Sequence, residues 1–261
     1  MLSKKKFHPS LKLNLPKKLV VKNFSQEIFK KKWDLIAIAV SSIGIDLIRE
    51  KLKQLKNNCP ILVLTKGLKY EKNSNRIITM SEQLNKGNKK LNLSVLKGPC
   101  LARELAKKIN TSAVIANKNI NTAKSIGKLI STKYYKIEYS NDVKGVEICS
   151  SIKNIYSMMI GSGEGLNTSS SIFRKSISEM VYLTKFFKGK EETVYGLAGI
   201  GDLYVSALGG RNSRIGKYLG KGFTFKQAKK KFMLNDTIEG AELAFEIAPY
   251  ILKKINNKKH S

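Results

Sequence analysis

A chain of 261 residues, 42% of them hydrophobic, is long enough for one large domain or two ordinary ones and can bury a substantial core. A formal net charge of +30 would ordinarily raise nucleic acid as a partner, but only six of the 49 basic residues are arginine and the lysines run from Lys4 to Lys259 with asparagine among them, so they read as a solvated surface rather than a phosphate-binding stripe. Cys59, Cys100 and Cys149, odd in number and without metal-ligand spacing, argue against a disulfide framework or a metal site, and the longest apolar run, LIAIAV, is far too short for a bilayer; a cytoplasmic protein without stable membrane insertion is expected.

The first half alternates short apolar runs with segments of helical period. LIAIAV (35–40), ILVLT (61–65), LSVLKG (93–98), SAVIAN (112–117) and YYKIEYS (134–140) are too short for buried helices and are bounded by Gly, Asn, Ser or Pro, so they predict strands. Between them IGIDLIREKLKQL, CLARELAKKI and TAKSIGKLI repeat apolar residues every three or four positions, which predicts helices and hence a largely parallel sheet. After about Asn141 the strand pattern stops. Asp142 is placed to cap a long helix through about Gly161, and further helices are expected over roughly 168–188, 212–219, 225–233 and 239–254. The expected architecture is α/β: a parallel sheet domain over residues 1–140, followed by an all-α domain over 141–261.

Two-domain chains of this type commonly place a ligand at the carboxyl ends of the strands. TKG (65–67) and KGPC (97–100) lie directly after predicted strands, while GLAGIGDL (196–203) and GGRN (209–212) read as glycine-rich loops within the helical half. Arg211 offers a planar fork suited to phosphate. Any one of these glycine loops, taken alone, reads better as a tight turn.

Lys153 stands apart from the surface lysines. On a helix its neighbours three and four residues away are Cys149, Ser150, Tyr156 and Ser157, none of them charged. A lysine kept from water titrates low and can exchange a proton near neutral pH. A lysine snorkelling from a half-buried helix would show the same neighbours, and these residues alone leave both readings open.

Taken together, KG (66–67), GPCLARELA (98–106), NDVKGVEICSSIKN (141–154), GLAGIGDL, GGRN and IEGAELA (238–244) resemble, in order and spacing, the NAD(P)-dependent glycerol-3-phosphate dehydrogenase family. The resemblance implies a Rossmann-like dinucleotide-binding domain followed by a helical substrate domain. It implies an oxidoreductase interconverting dihydroxyacetone phosphate and sn-glycerol 3-phosphate with NAD or NADP in support of phospholipid synthesis, and a phosphorylated triose as small-molecule partner. It makes Lys153 the catalytic proton donor and Asp202 its partner. Lys66, Gly98, Cys100, Asn154, Gly210, Arg211 and Asn212 would join those two around the substrate, and Lys66, Ala102, Arg211, Thr237 and Glu239 would meet the cofactor. FHPSLKLNLPKKLVV resembles the family's segment that follows its glycine-rich GxGxWG unit, and no GxGxxG after a strand occurs in the sequence. Smaller departures are Ser41 where a VP pair is usual, Cys100 for Ser or Thr, and Gly210 for Ser. The alternative reading is an impaired relative that still binds a phosphorylated metabolite or a partner subunit. NAD against NADP is left open, as is assembly, a homodimer being one option.

Overall fold

The computed structural model describes residues 6–9, 11–55, 58–87 and 91–259. A minute hairpin, β1 (Phe7–His8) with β2 (Leu13–Asn14), precedes a five-stranded sheet of β3 (Ile36–Ile38), β4 (Ile61–Val63), β7 (Leu93–Lys97), β8 (Thr111–Ala116) and β9 (Tyr135–Ser140), arranged in that spatial order. Each of the five predicted strands is present. In β4, all three residues, Ile61, Leu62 and Val63, are buried, as expected of a strand covered on both faces.

The sheet is mixed rather than parallel throughout. β3, β4 and β7 run parallel and so do β8 and β9, but β7 and β8 are antiparallel, with Val95 opposite Ala116 and Lys97 opposite Val114. The reason lies in the connection. A parallel crossover needs a dozen or more residues with a helix long enough to span the sheet. Here CLARELAKKI forms only the five-residue α3 (Ala102–Ala106), so the chain turns back directly beside β7.

Helices α1 (Ile45–Leu52) and α4 (Ile120–Ile130) pack on the sheet, and α2 (Met80–Asn85) starts from a capping box in which Thr79 and Glu82 satisfy each other's backbone. A second antiparallel hairpin, β5 (Leu68–Glu71) with β6 (Arg76–Thr79), was not legible in the sequence. It follows Lys66 and Gly67 directly and carries the Tyr70 ring to 5.4 Å from that of Tyr250.

The second half is helical, as expected. Helix α5 (Val143–Gly161) starts where Asp142 Oδ1 accepts from the Gly145 amide at 2.9 Å, while Asp142 Oδ2 accepts from Lys190 N at 2.8 Å and Thr193 Oγ1 at 2.6 Å. Fourteen of its nineteen residues are buried. A helix enclosed on all sides needs neighbours on all sides. They are α6 (Leu166–Phe186), the short α7 (Glu192–Tyr195), α8 (Asp202–Gly209), α9 (Arg211–Gly220), α10 (Phe225–Phe232) further out, and α11 (Glu239–Lys259). Close approach of α9 is possible only because Gly216 lacks a side chain: a Cβ there would stand 2.0 Å from the Met158 carbonyl oxygen. GLAGIGDL is not a loop. Leu197–Gly201 forms one π-helical turn that runs straight into α8, and GGRN joins α8 to α9.

One hydrophobic core crosses from sheet to bundle, with Val63 and Val95 on one side and Ile148, Ile152 and Leu203 on the other. It seats α5 against the carboxyl ends of β4 and β7. Among the described residues, no helix is long and apolar enough to cross a membrane.

Candidate active site

Lys153 does not snorkel. It is 5% exposed, and Cys149, Ser150, Tyr156 and Ser157, its helical neighbours, are all buried as well. Its counter-charge comes from another helix: Lys153 Nζ donates to Asp202 Oδ1 at 2.8 Å and to Ser206 Oγ. Asp202 and Ser206 are four residues apart on α8, so they share the face turned to α5. The π-helical turn ahead of Asp202 sets that rotation. Lys66 approaches the same carboxylate from the sheet, its Nζ donating to Asp202 Oδ2 at 2.6 Å. One carboxylate, 4% exposed, therefore holds two ammonium groups supplied by β4's end and by α5.

Burial dominates the electrostatics of Lys153. Desolvation lowers its pKa to about 8, the Lys66 ammonium pushes in the same direction, and Asp202 opposes both. An ammonium so placed is a stronger acid than one in water, and both its forms are accessible near neutral pH. The Cys149 thiol one turn away is driven up to about 12 by burial and stays protonated.

Beside this cluster lies a cavity of about 420 Å³, lined by Lys66, Ser151, Asn154 and Glu239 among others. Asn154 Nδ2 donates to Glu239 Oε2 at 3.1 Å, tying α5 to the first residue of α11. The Arg211 guanidinium reaches the other oxygen, Glu239 Oε1, at 3.5 Å, in a pair whose side chains are 49% and 47% exposed. Asn212 is buried, and its Oδ1 accepts from the Gly240 amide at 2.9 Å. Gly210 stands at the start of α9 with no side chain capping that terminus.

The structure thus brings Lys66, Lys153 and Asp202 into one cluster and Asn154, Arg211 and Glu239 into a second, with Asn212 on the adjoining Gly240 amide. Gly98 is also close. Its φ of +122° excludes most side chains, and a Cβ there would stand 3.6 Å from that of Leu197 in the turn before Asp202. Cys100, Ala102 and Thr237 are exposed and contribute no hydrogen bond to either cluster. Three neighbours escaped the sequence reading. Ser206 was visible as a helical i+4 partner of Asp202. Ser151, whose Oγ accepts from Gly67 N at 3.1 Å, lay in the quoted segment without a role. Lys97 was visible as a charge ending the apolar strand LSVLK.

Comparison with known proteins accords with this geometry. Residues 3–123 match the model of the NAD-dependent glycerol-3-phosphate dehydrogenase N-terminus, and residues 142–259 match that of its C-terminus. An NADP+-dependent glycerol-3-phosphate dehydrogenase of Archaeoglobus fulgidus is 29% identical over 236 residues, covering 85% of this chain and 70% of the relative. An NAD(P)+ glycerol-3-phosphate dehydrogenase of Fusobacterium nucleatum is 30% identical over 233 residues, covering 87% and 68%. The crystal structure of glycerol-3-phosphate dehydrogenase from Coxiella burnetii superposes with a TM-score of 0.84 at 25% identity, covering 97% of this chain and 78% of that one. The chain spans roughly two thirds of the length of such curated relatives, 66% for one from Clostridium botulinum. Two family models that together take in nearly the whole chain, and a relative at 30% identity, establish that it belongs to the NAD-dependent glycerol-3-phosphate dehydrogenase family.

Proposed function

We propose that this protein interconverts dihydroxyacetone phosphate and sn-glycerol 3-phosphate, with NAD or NADP, the family's cofactor, as the hydride carrier. The observation that carries the reading is the buried Lys153–Asp202–Lys66 cluster beside the cavity, with Arg211 reaching Glu239 of the cavity wall. Residues 1–140 would form the dinucleotide-binding domain and residues 141–261 the substrate domain, a division supported by the separate matches of the two family models.

In this reading the Lys153 ammonium stands at the carbonyl oxygen of the ketone and transfers its proton there as negative charge develops, a role worth about 10² to 10⁴ in rate together with the electrostatic stabilisation it provides. Asp202 holds Lys153 and Lys66 in fixed directions, so little reorganisation is required as the charge builds. Ser206 fixes a second N–H of Lys153. Lys66 and Asn154 face the cavity and would meet the hydroxyl and carbonyl oxygens of the triose. Arg211, at the uncapped start of α9, would exchange its long contact with Glu239 for a bidentate grip on the phosphate. Asn212, whose oxygen is taken by Gly240, would offer its amide nitrogen. The closed packing around Lys153 excludes water from the proton-transfer end.

A whole dinucleotide is not accommodated by the described residues. None of their strands is followed by a glycine-rich phosphate turn: the chain leaves β3 through Ala39, Val40 and Ser41 and enters a 3₁₀ turn at Ser42–Gly44. The cavity of about 420 Å³ is of mixed charge, with the carboxylates of Asp46, Glu239, Glu242 and Glu246 beside the ammonium groups of Lys66 and Lys69. These residues account for the substrate end of the site, and the steps above are confined to it.

Calorimetry with glycerol 3-phosphate, against glycerol as control, tests the assignment of the substrate. Selective binding of the phosphate ester, abolished by Arg211→Ala, is expected; equal affinity for the two would overturn it. Reduction of dihydroxyacetone phosphate, followed by NADH or NADPH absorbance, tests the reaction itself.

A further inference from the structure

Lys97 takes no part in the arrangement above, yet it is 3% exposed and with Lys153 forms the pair of buried lysines among the described residues. It is the last residue of β7, and its side chain crosses to the parallel neighbour β4. There Nζ donates to three successive carbonyls, Thr65 at 2.5 Å, Leu64 at 3.1 Å and Val63 at 3.5 Å. Burial lowers its pKa to about 8, with Glu147 as the main opposing influence. A buried charge survives only where acceptors replace its water, and buried carbonyls are themselves costly to leave without a donor.

What those carbonyls support is the segment carrying Lys66. Thr65 immediately precedes it, and the Thr65 hydroxyl donates to the Val40 carbonyl at 2.7 Å. On the other side, the Gly67 amide is held by Ser151 Oγ. Lys97 also begins the segment that supports Asp202. Beyond it, Gly98 lies against Leu197, and a Cβ on Gly201, the residue before Asp202, would come 3.8 Å from Pro99 Cδ. A single ammonium therefore fastens the segment that carries Lys66 to the strand end that packs against the turn before Asp202.

We propose that Lys97 is a positioning residue that keeps the Lys66 ammonium on Asp202 by clamping the end of β4 to the end of β7. That this pair serves proton transfer to a phosphorylated triose rests on the functional reading above; the clamp itself does not.

Isotope-coded acylation of lysine amines, read residue by residue by mass spectrometry, tests it on the full chain without need of turnover. In Lys97→Met, which keeps the volume and removes the donor, Lys66 should label at least about fivefold faster than in wild type, because its paired state is lost. Lys144 and Lys185, paired with Glu82 and Glu191 elsewhere, serve as internal controls and should stay within about twofold. A folded Lys97→Met protein in which Lys66 labels at the wild-type rate overturns the proposal, as does one in which all three lysines speed up together, the mark of general loosening. Lys97→Gln retains a neutral donor and should fall between wild type and Lys97→Met; it is read by the same criteria if the methionine variant does not fold. If Lys66 is freed selectively while the wild-type protein fails to prefer glycerol 3-phosphate over glycerol, the clamp stands and the functional assignment of the pair falls.

Discussion

The two ends of the candidate site are built differently. At the proton-transfer end, Lys153 and Asp202 are both about 95% buried, their contacts are 2.8 Å or shorter, and their partners come from three separate parts of the chain. At the anion end, Arg211 and Glu239 are each about half exposed and meet at 3.5 Å. The first arrangement is assembled before any ligand arrives. The second costs little to open, since an exposed ion pair contributes only about 0 to 1 kcal/mol and can be traded for a phosphate contact. The contrast suits a reaction in which a substrate is caught by its phosphate at the exposed end and its carbonyl oxygen is delivered to a fixed acid.

The largest test of that contrast is Asp202→Asn. Removing the carboxylate leaves two ammonium groups facing each other with little solvent, and breaking a buried pair in this way typically costs about 3 to 5 kcal/mol. Chemical denaturation should show a loss of that order. A loss below about 1 kcal/mol would mean that the interior end is as soft as the exposed end.

Next comes Lys153→Met in protein that turns over. Its fold should persist, while reduction of dihydroxyacetone phosphate falls by about 10² or more. If the Lys153 ammonium is the donor, the wild-type reduction rate should decline as pH rises through about 8. Stability carries the same signature with a defined sign. The folded-state value of about 8 lies below the ordinary 10.5, so between those two the unfolded chain holds more protons and stability increases with pH. Lys153→Met should flatten that rise, measurable by denaturation at pH values of about 8 and 10.5, the two ends of the window.

The exposed end predicts smaller effects. Arg211→Lys keeps the charge but loses the planar fork, and glycerol 3-phosphate binding should weaken by about 1.5 to 3 kcal/mol in calorimetry. Smallest of all should be Glu239→Gln, with a change in thermal stability corresponding to less than about 1 kcal/mol. A larger loss there would show that the Glu239 links to Asn154 and Arg211 form a rigid brace and that the two ends are more alike than their exposure indicates.

Much was determined by local sequence alone. The five strands followed from β-branched runs bounded by turn residues, and the start of α5 followed from Asp142, because these are short-range preferences of the backbone and its nearest side chains. Lys153 could be singled out because its helical neighbours carry no charge, and the site residues could be grouped through motifs kept in order along the chain. What lay beyond the sequence depended on contacts across long separations. The reversal of β8 was decided by how far thirteen residues holding a five-residue helix can reach across a sheet, the β5–β6 hairpin by its packing under α11, and the choice between a snorkelling and a buried Lys153 by a carboxylate forty-nine positions away. Lys97 makes the same point: in sequence it is one more lysine in a chain of net charge +30, and only folding puts it against three successive carbonyls at the end of β4. A charge acquires its role from the solvent it loses and the partner that replaces that solvent, and both are supplied by tertiary structure.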